Sequence, residues 1–282
     1  MADKWLVETG WLAERLGLPG LVVLDGSWHL PTAKRNAYEE YLQEHIPGAL
    51  FFDIDEISDT SNPLPHMLPS PEKFASRMRS MGIGDGMQIV IYDSYGMFSA
   101  ARVWWTFRVM GTESVHVLNG GLRKWKQEGR PLEDGPPPRR GQRHFTVRSN
   151  LELVRDRDEI AAFSANGGAQ IVDARSAARF AGKAPEPRPG LRSGRIPGSL
   201  NVPFTELLQE DGSFKPVVEM RKVFEAAGVD VGKPIVNTCG SGVTASILSL
   251  ALAMMGHRNA AVYDGSWSEW GADASLPIEP KG

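Results

Sequence analysis

Short β-branched and apolar runs alternate along this chain with longer apolar stretches of helical spacing. Runs at 21–24, 89–92 and 115–118 in the first half, and at 171–172, 235–236 and 260–263 in the second, read as strands. The stretches 74–81 and 103–110 read as helices, as does 244–255, which is rich in Ala and Leu, lacks Gly and Pro, and stops at Gly256. Strands alternating with helices predict parallel sheets built from crossover units and flanked by helices, the α/β class.

The pattern repeats. Leu21-Val22-Val23-Leu24-Asp25 is echoed by Gln170-Ile171-Val172-Asp173, and His45-Ile46-Pro47-Gly48-Ala49 by Arg195-Ile196-Pro197-Gly198-Ser199. Ile89-Val90-Ile91-Tyr92-Asp93 returns as Ile235-Val236-Asn237-Thr238-Cys239, and Met110-Gly111, Val117, Gly120 and Trp125 return as Met255-Gly256, Val262, Gly265 and Trp270. Echoes in constant order at a nearly constant offset predict two copies of one fold made by duplication. A run dense in Pro, Gly and charge, including Pro136-Pro137-Pro138, lies between them and reads as an extended surface linker. The expected organisation is therefore one domain over 1–135, a linker over 136–150 and a second domain over 151–282. Trp125 and Trp270 recur in both copies and read as core or interdomain packing.

Composition narrows the partners. With 31 basic and 34 acidic residues the net charge is −3, which gives no electrostatic reason to expect nucleic acid or an acidic membrane surface as a partner. No apolar run approaches the roughly 20 residues that span a bilayer, and Met1-Ala2-Asp3-Lys4-Trp5 does not open a secretory signal. The single cysteine forbids an internal disulfide, and a useful thiol must stay reduced, so a cytoplasmic setting is expected.

That cysteine, Cys239, stands where the strand at 235–236 turns into the helix at 244–255, within Cys239-Gly240-Ser241-Gly242-Val243-Thr244. Such a turn gathers backbone N–H groups of Gly240, Gly242, Val243 and Thr244 at the positive end of a helix, where an anionic sulfur or substrate is stabilised. The alternative is a small buried hydrophobe. The first copy carries Asp93-Ser94-Tyr95-Gly96 at this place, so only the second copy can perform thiol chemistry. Competing chemistries fit poorly. A cysteine phosphatase needs an arginine where Ala245 stands, a P-loop needs a lysine that the turn lacks, and one cysteine with six scattered histidines gives no metal-ligand spacing.

Taken together, the tandem arrangement, the linker and the Cys239–Thr244 loop resemble the 3-mercaptopyruvate sulfurtransferases of the rhodanese superfamily over essentially the whole chain. The resemblance includes Asp173-Ala174-Arg175, Arg179-Phe180, Glu186-Pro187-Arg188 and Tyr263-Asp264-Gly265-Ser266-Trp267. It implies two tandem rhodanese-like domains and a relay in which Cys239 takes sulfur from 3-mercaptopyruvate, releases pyruvate and passes the sulfur to cyanide, a small thiol or thioredoxin, with no metal or organic cofactor. It further implies that Arg179 and Arg188 bind the substrate, and that Ser241, His66 and Asp55 form a proton-handling arrangement. Arg175, beside Asp173, reads as structural, and Trp267 as a candidate lining residue. Thiosulfate sulfurtransferases usually carry Arg and Lys directly after the cysteine; here Gly240 and Ser241 stand there, which favours a donor with one carboxylate over dianionic thiosulfate. Thiosulfate transfer and a non-enzymatic persulfide carrier are the alternatives.

Overall fold

The computed structural model describes residues 4–280. Met1, Ala2 and Asp3, on which the reading of the N-terminus partly rests, lie outside the described residues.

Among the described residues ten strands form two sheets. The first contains β1 (Leu6–Val7), β2 (Leu21–Asp25), β3 (Leu50–Phe51), β4 (Gln88–Tyr92) and β5 (Val115–Leu118); the second contains β6 (Val154–Arg155), β7 (Gln170–Asp173), β8 (Leu200–Asn201), β9 (Ile235–Thr238) and β10 (Ala261–Tyr263). Their orders are β1-β5-β4-β2-β3 and β6-β10-β9-β7-β8, the same order shifted by five. Every pairing between these strands is parallel. Register repeats as well: Asp25 lies opposite Tyr92 in the first sheet, and Asp173 opposite Thr238 in the second. Parallel strands are covered on both faces, so β4 is apolar and buried over 89–92, while β9 is buried throughout even at Asn237, whose amide donates to the Ser249 hydroxyl and the Ala261 carbonyl.

The helices follow from the same pattern. Ala245–Met254 is buried from Ala245 to Ala253, as a helix apolar on all sides should be, and packs on β9 and β10. Its counterpart, Ala100–Val109, packs on β4 and β5 and is likewise buried. The helix expected at 74–81 begins earlier, at Pro71, because Ser70 caps it by accepting from the Lys73 N–H and Pro71 occupies the first helical position. The four strands absent from the periodicity, β1, β3, β6 and β8, have two residues each, too few to show an alternation.

The chain divides into two compact units. One comprises the chain up to Thr60, Leu68–Asn150 and Leu208–Phe214; the other comprises Ser61–Met67, Leu151–Leu207 and the chain from Lys215 on. The Pro-rich stretch 136–150 has no helix or strand and counts with the first unit. It is anchored there: Phe145 is buried against Phe74 and Phe107, and the Arg148 N–H donates to the Met110 carbonyl at 3.0 Å. One apolar ring fastens a segment whose prolines and charges otherwise predict full exposure. Trp125 and Trp270 each sit in the core of their own unit, and each indole donates 2.8 Å to a proline carbonyl, Pro131 and Pro277 respectively.

Among the described residues no helix is long and apolar enough to cross a membrane.

Candidate active site

Thr238 ends β9, Cys239 follows it, and the chain re-enters regular structure at Ala245. Gly242 makes the turn at φ +78°, a conformation that costs a side-chain-bearing residue about 1 kcal/mol or more. A second segment fixes the loop from outside. The Ser266 hydroxyl accepts from the Cys239 N–H at 3.2 Å and the Gly242 N–H at 3.1 Å, while donating to the Tyr263 carbonyl at 2.8 Å. The N–H groups of Trp267 and Ser268 draw the carbonyls of Cys239 and Gly240 to their own side, at 3.0 and 2.8 Å. With those carbonyls held outward, the N–H groups of Ser241, Val243 and Thr244 have no acceptor among the described residues. Thr244 provides no side-chain cap either, so the positive end of a ten-residue helix stays open beside the thiol. Cys239 is 2 % exposed, in a setting made for an anion.

The loop of the first unit shows the same design already filled. Asp93 follows Tyr92 as Cys239 follows Thr238. Its carboxylate accepts five backbone N–H groups: Tyr95 and Gly96 on one oxygen at 3.0 Å each, and Phe98, Ser99 and Ala100 on the other at 2.7, 2.9 and 2.9 Å. An aspartate reaches into its own cradle and saturates it. A cysteine cannot, and leaves the donors to whatever binds.

Two arginines reach over the cysteine loop from the preceding segment. A Cβ built on Gly240 would lie 3.1 Å from Arg179 Nη2, a tight contact, and 3.9 Å from Arg188 Nη1, an ordinary one, so both guanidinium groups lie against the loop here and the missing side chain leaves room for Arg179. Arg179 is one end of an ion chain. The buried Glu186 carboxylate receives Arg179 at 2.5 Å on one oxygen and Arg175 at 2.8 Å on the other. Arg175 in turn grips Asp173 with Nε and Nη2, donates to the Gly194 carbonyl and lies 4.3 Å over the Trp267 ring. Burial opposes the Arg175 charge, but Asp173 and Glu186 outweigh it and hold the guanidinium above its usual range. Trp267 thus supports Arg175 with its ring face, and its indole donates to the Arg192 carbonyl at 2.9 Å.

His66 belongs to the same unit and is 5 % exposed. Its Nε2 lies 3.2 Å from Arg188 Nη2. A guanidinium only donates, so in this contact Nε2 is the acceptor. The residue is held at φ +62°, a strained setting for a histidine. Ser241 is buried in the loop beside Cys239. Asp55 lies in the first unit, on the short helix Ile54–Ile57, and accepts from the Trp28 indole at 2.9 Å. Within the second unit the structure therefore gathers Cys239, Ser241, the loop glycines, Arg179, Arg188 and His66.

Ser266 and Glu186 are the two residues whose part here single-residue reading misses. Ser266 acts on Cys239 from 27 positions away, and the only hint in the sequence is that it replaces Gly121 of the first copy, which has the same positive φ, +53° against +50°. Glu186 gives no local sign of bridging two arginines.

Comparison with known proteins agrees with this geometry. The family model described as a rhodanese-like domain matches twice, at residues 8–128 and 156–273. The chain is 46% identical over 281 residues to a 3-mercaptopyruvate sulfurtransferase of Escherichia coli strain K12, covering 99% of each. It is 45% identical over 272 residues to a thiosulfate sulfurtransferase of Bos taurus, covering 94% of this chain and 91% of that one. The crystal structure of SseA, a 3-mercaptopyruvate sulfotransferase from Escherichia coli, superposes with a TM-score of 0.85 at 44% identity, covering 94% of this chain and 99% of that one. Two domains, one open thiol loop and these relatives together place the chain in the rhodanese family, as a tandem-domain sulfurtransferase.

Proposed function

We propose that the sulfur donor is 3-mercaptopyruvate and that Cys239 carries the sulfur as a persulfide. Identity does not separate the donors, since relatives named for 3-mercaptopyruvate and for thiosulfate match at 46% and 45%. The observation that carries the choice is the roof over Gly240. Arg179 and Arg188 bring positive charge beside Gly240, and the loop adds none at Gly240 or Ser241. Two guanidinium forks suit one carboxylate and its neighbouring carbonyl.

In this reading the Cys239 thiolate attacks the donor's sulfur. The new S–S bond forms as the carbon–sulfur bond breaks, its electron pair passing to the enolate of pyruvate. The enolate carbon takes up the proton released from the donor thiol, directly or by way of His66. Free N–H groups of Ser241, Val243 and Thr244 stabilise the persulfide anion, and Gly242 keeps the turn. Ser241 would share the proton handling with His66 inside the second unit, whereas Asp55 lies in the first. A thiophilic acceptor, whether cyanide, a small thiol or thioredoxin, then removes the outer sulfur and restores the thiolate. We assign the chemistry to the domain at 151–282, joined through 136–150 to the domain at 1–135, and place the protein in the cytoplasm, where a lone thiol stays reduced.

The test compares pyruvate release from 3-mercaptopyruvate with sulfite release from thiosulfate, using one acceptor, for wild type and Cys239→Ser. The wild type should favour 3-mercaptopyruvate and the variant should lose both reactions. Faster turnover of thiosulfate would overturn the donor, and an active variant would overturn the mechanism.

A further inference from the structure

The ion chain behind the loop contains an even balance of charge. Asp173, Arg175, Glu186 and Arg179 are joined in sequence by contacts of 2.7, 2.8 and 2.5 Å, so two anions offset two cations. The inner three side chains are at most 1 % exposed, whereas Arg179 is 22 % exposed and faces Gly240. Arg179 can therefore offer hydrogen bonds to a bound anion while its charge is already matched from behind. Asp173 is occupied by Arg175, leaving Glu186 as the group that matches Arg179.

We propose that Glu186 sets the charge of donor the site accepts: by neutralising Arg179 from the buried side, it makes the site fit a monoanionic donor and disfavours a dianionic one. This rests on the sulfurtransferase reading above and deepens it. Glu186 is a specificity residue acting through Arg179, and it does not touch the donor. Removing its charge while keeping its size leaves the chain with one surplus positive charge beside the loop. A dianion such as thiosulfate gains about twice as much from that surplus as a monoanion such as 3-mercaptopyruvate.

The experiment measures kcat/KM for both donors at fixed ionic strength, with cyanide as acceptor, in full-length wild type, Glu186→Gln and Glu186→Asp. Glu186→Gln should move the thiosulfate to 3-mercaptopyruvate ratio toward thiosulfate by roughly ten- to a hundredfold. Glu186→Asp keeps the charge and shortens the reach; it should slow both donors and leave their ratio within about threefold of wild type. Equal losses on both donors in Glu186→Gln, or the same ratio shift in Glu186→Asp, would reduce Glu186 to a scaffold for Arg179 and overturn the proposal.

If Glu186→Gln does not fold, competition in the wild type decides. Sulfate and methanesulfonate share a shape and differ by one charge; with Arg179 matched by Glu186 and Arg188 still contributing its charge, sulfate should bind at most about tenfold more tightly, and a sulfate preference above about a hundredfold would contradict the matching. A wild type that prefers thiosulfate would defeat the donor assignment, yet the ratio shift in Glu186→Gln would still be readable.

Discussion

Asp25 and Asp173 end equivalent strands, β2 and β7, and both are buried, but their surroundings differ two residues on. Asp173 finds Arg175 there, whereas Asp25 finds Ser27, whose N–H donates at 2.8 Å. Without a cation, burial dominates and pushes the Asp25 carboxyl up from 3.8 to about 6, against the lowering effect of its hydrogen bonds to Ser27. The folded protein then holds this proton more tightly than the unfolded chain. Its contribution to stability is therefore fully present below about pH 4 and is lost as pH rises through about 6. Asp25→Asn should raise the unfolding free energy at pH 7 by roughly 2–3 kcal/mol and flatten the pH 4–6 slope, as read by urea unfolding. A variant no more stable than wild type at pH 7, with the slope intact, would mean that Asp25 titrates normally.

At the scale of one element, the two strand-to-helix loops are the same device with and without a built-in anion. The sequence aligns Cys239 with Asp93, and the register of the sheets gives the same correspondence. What the sequence does not display is why the aspartate stands there, because five N–H groups converge on it only after the loop has closed. Asp93→Ala leaves those buried donors without their acceptor and should lower stability by about 2–5 kcal/mol, with Asp93→Asn falling between it and wild type. Chemical denaturation measures this directly, and a loss under about 1 kcal/mol would show that the carboxylate does not hold the loop.

Glycines at the turns were legible for a related reason: Gly96 and Gly242 both take positive φ, +111° and +78°, which few other residues tolerate. The outer brace of the cysteine loop was not legible. Ser266 lies in a separate motif and meets Cys239 only through the return of β10 beside β9. Arg179 and Arg188 are named by the family resemblance, since spacing alone would read either as a solvated surface charge. The ion pair that governs Arg179, and the histidine that meets Arg188 from 122 positions away, are products of folding.

For the whole molecule, duplication is the fact that composition and periodicity carry best. Ten strands in two sheets of identical order follow from an echo visible in the sequence. Two pieces of chain cross between the units. Ser61–Met67 counts with the second unit and Leu208–Phe214 with the first, where the Phe214 N–H donates to Asn119 at 3.0 Å. Such exchanges leave no trace in hydrophobic spacing, since they depend on where loops end rather than on what they bury. One of them is why His66, early in the chain, belongs to the unit that holds Cys239.

In the proposed relay a single thiol in the second unit accepts the sulfur. Mixing the protein with a small excess of 3-mercaptopyruvate in the absence of any added acceptor, then counting pyruvate and mapping bound sulfur by peptide mass spectrometry, tests this directly. One pyruvate per chain should appear in a single burst, with one added sulfur on the peptide containing Cys239. Pyruvate formed while that peptide remains unmodified, in wild type or in Cys239→Ser, would contradict it.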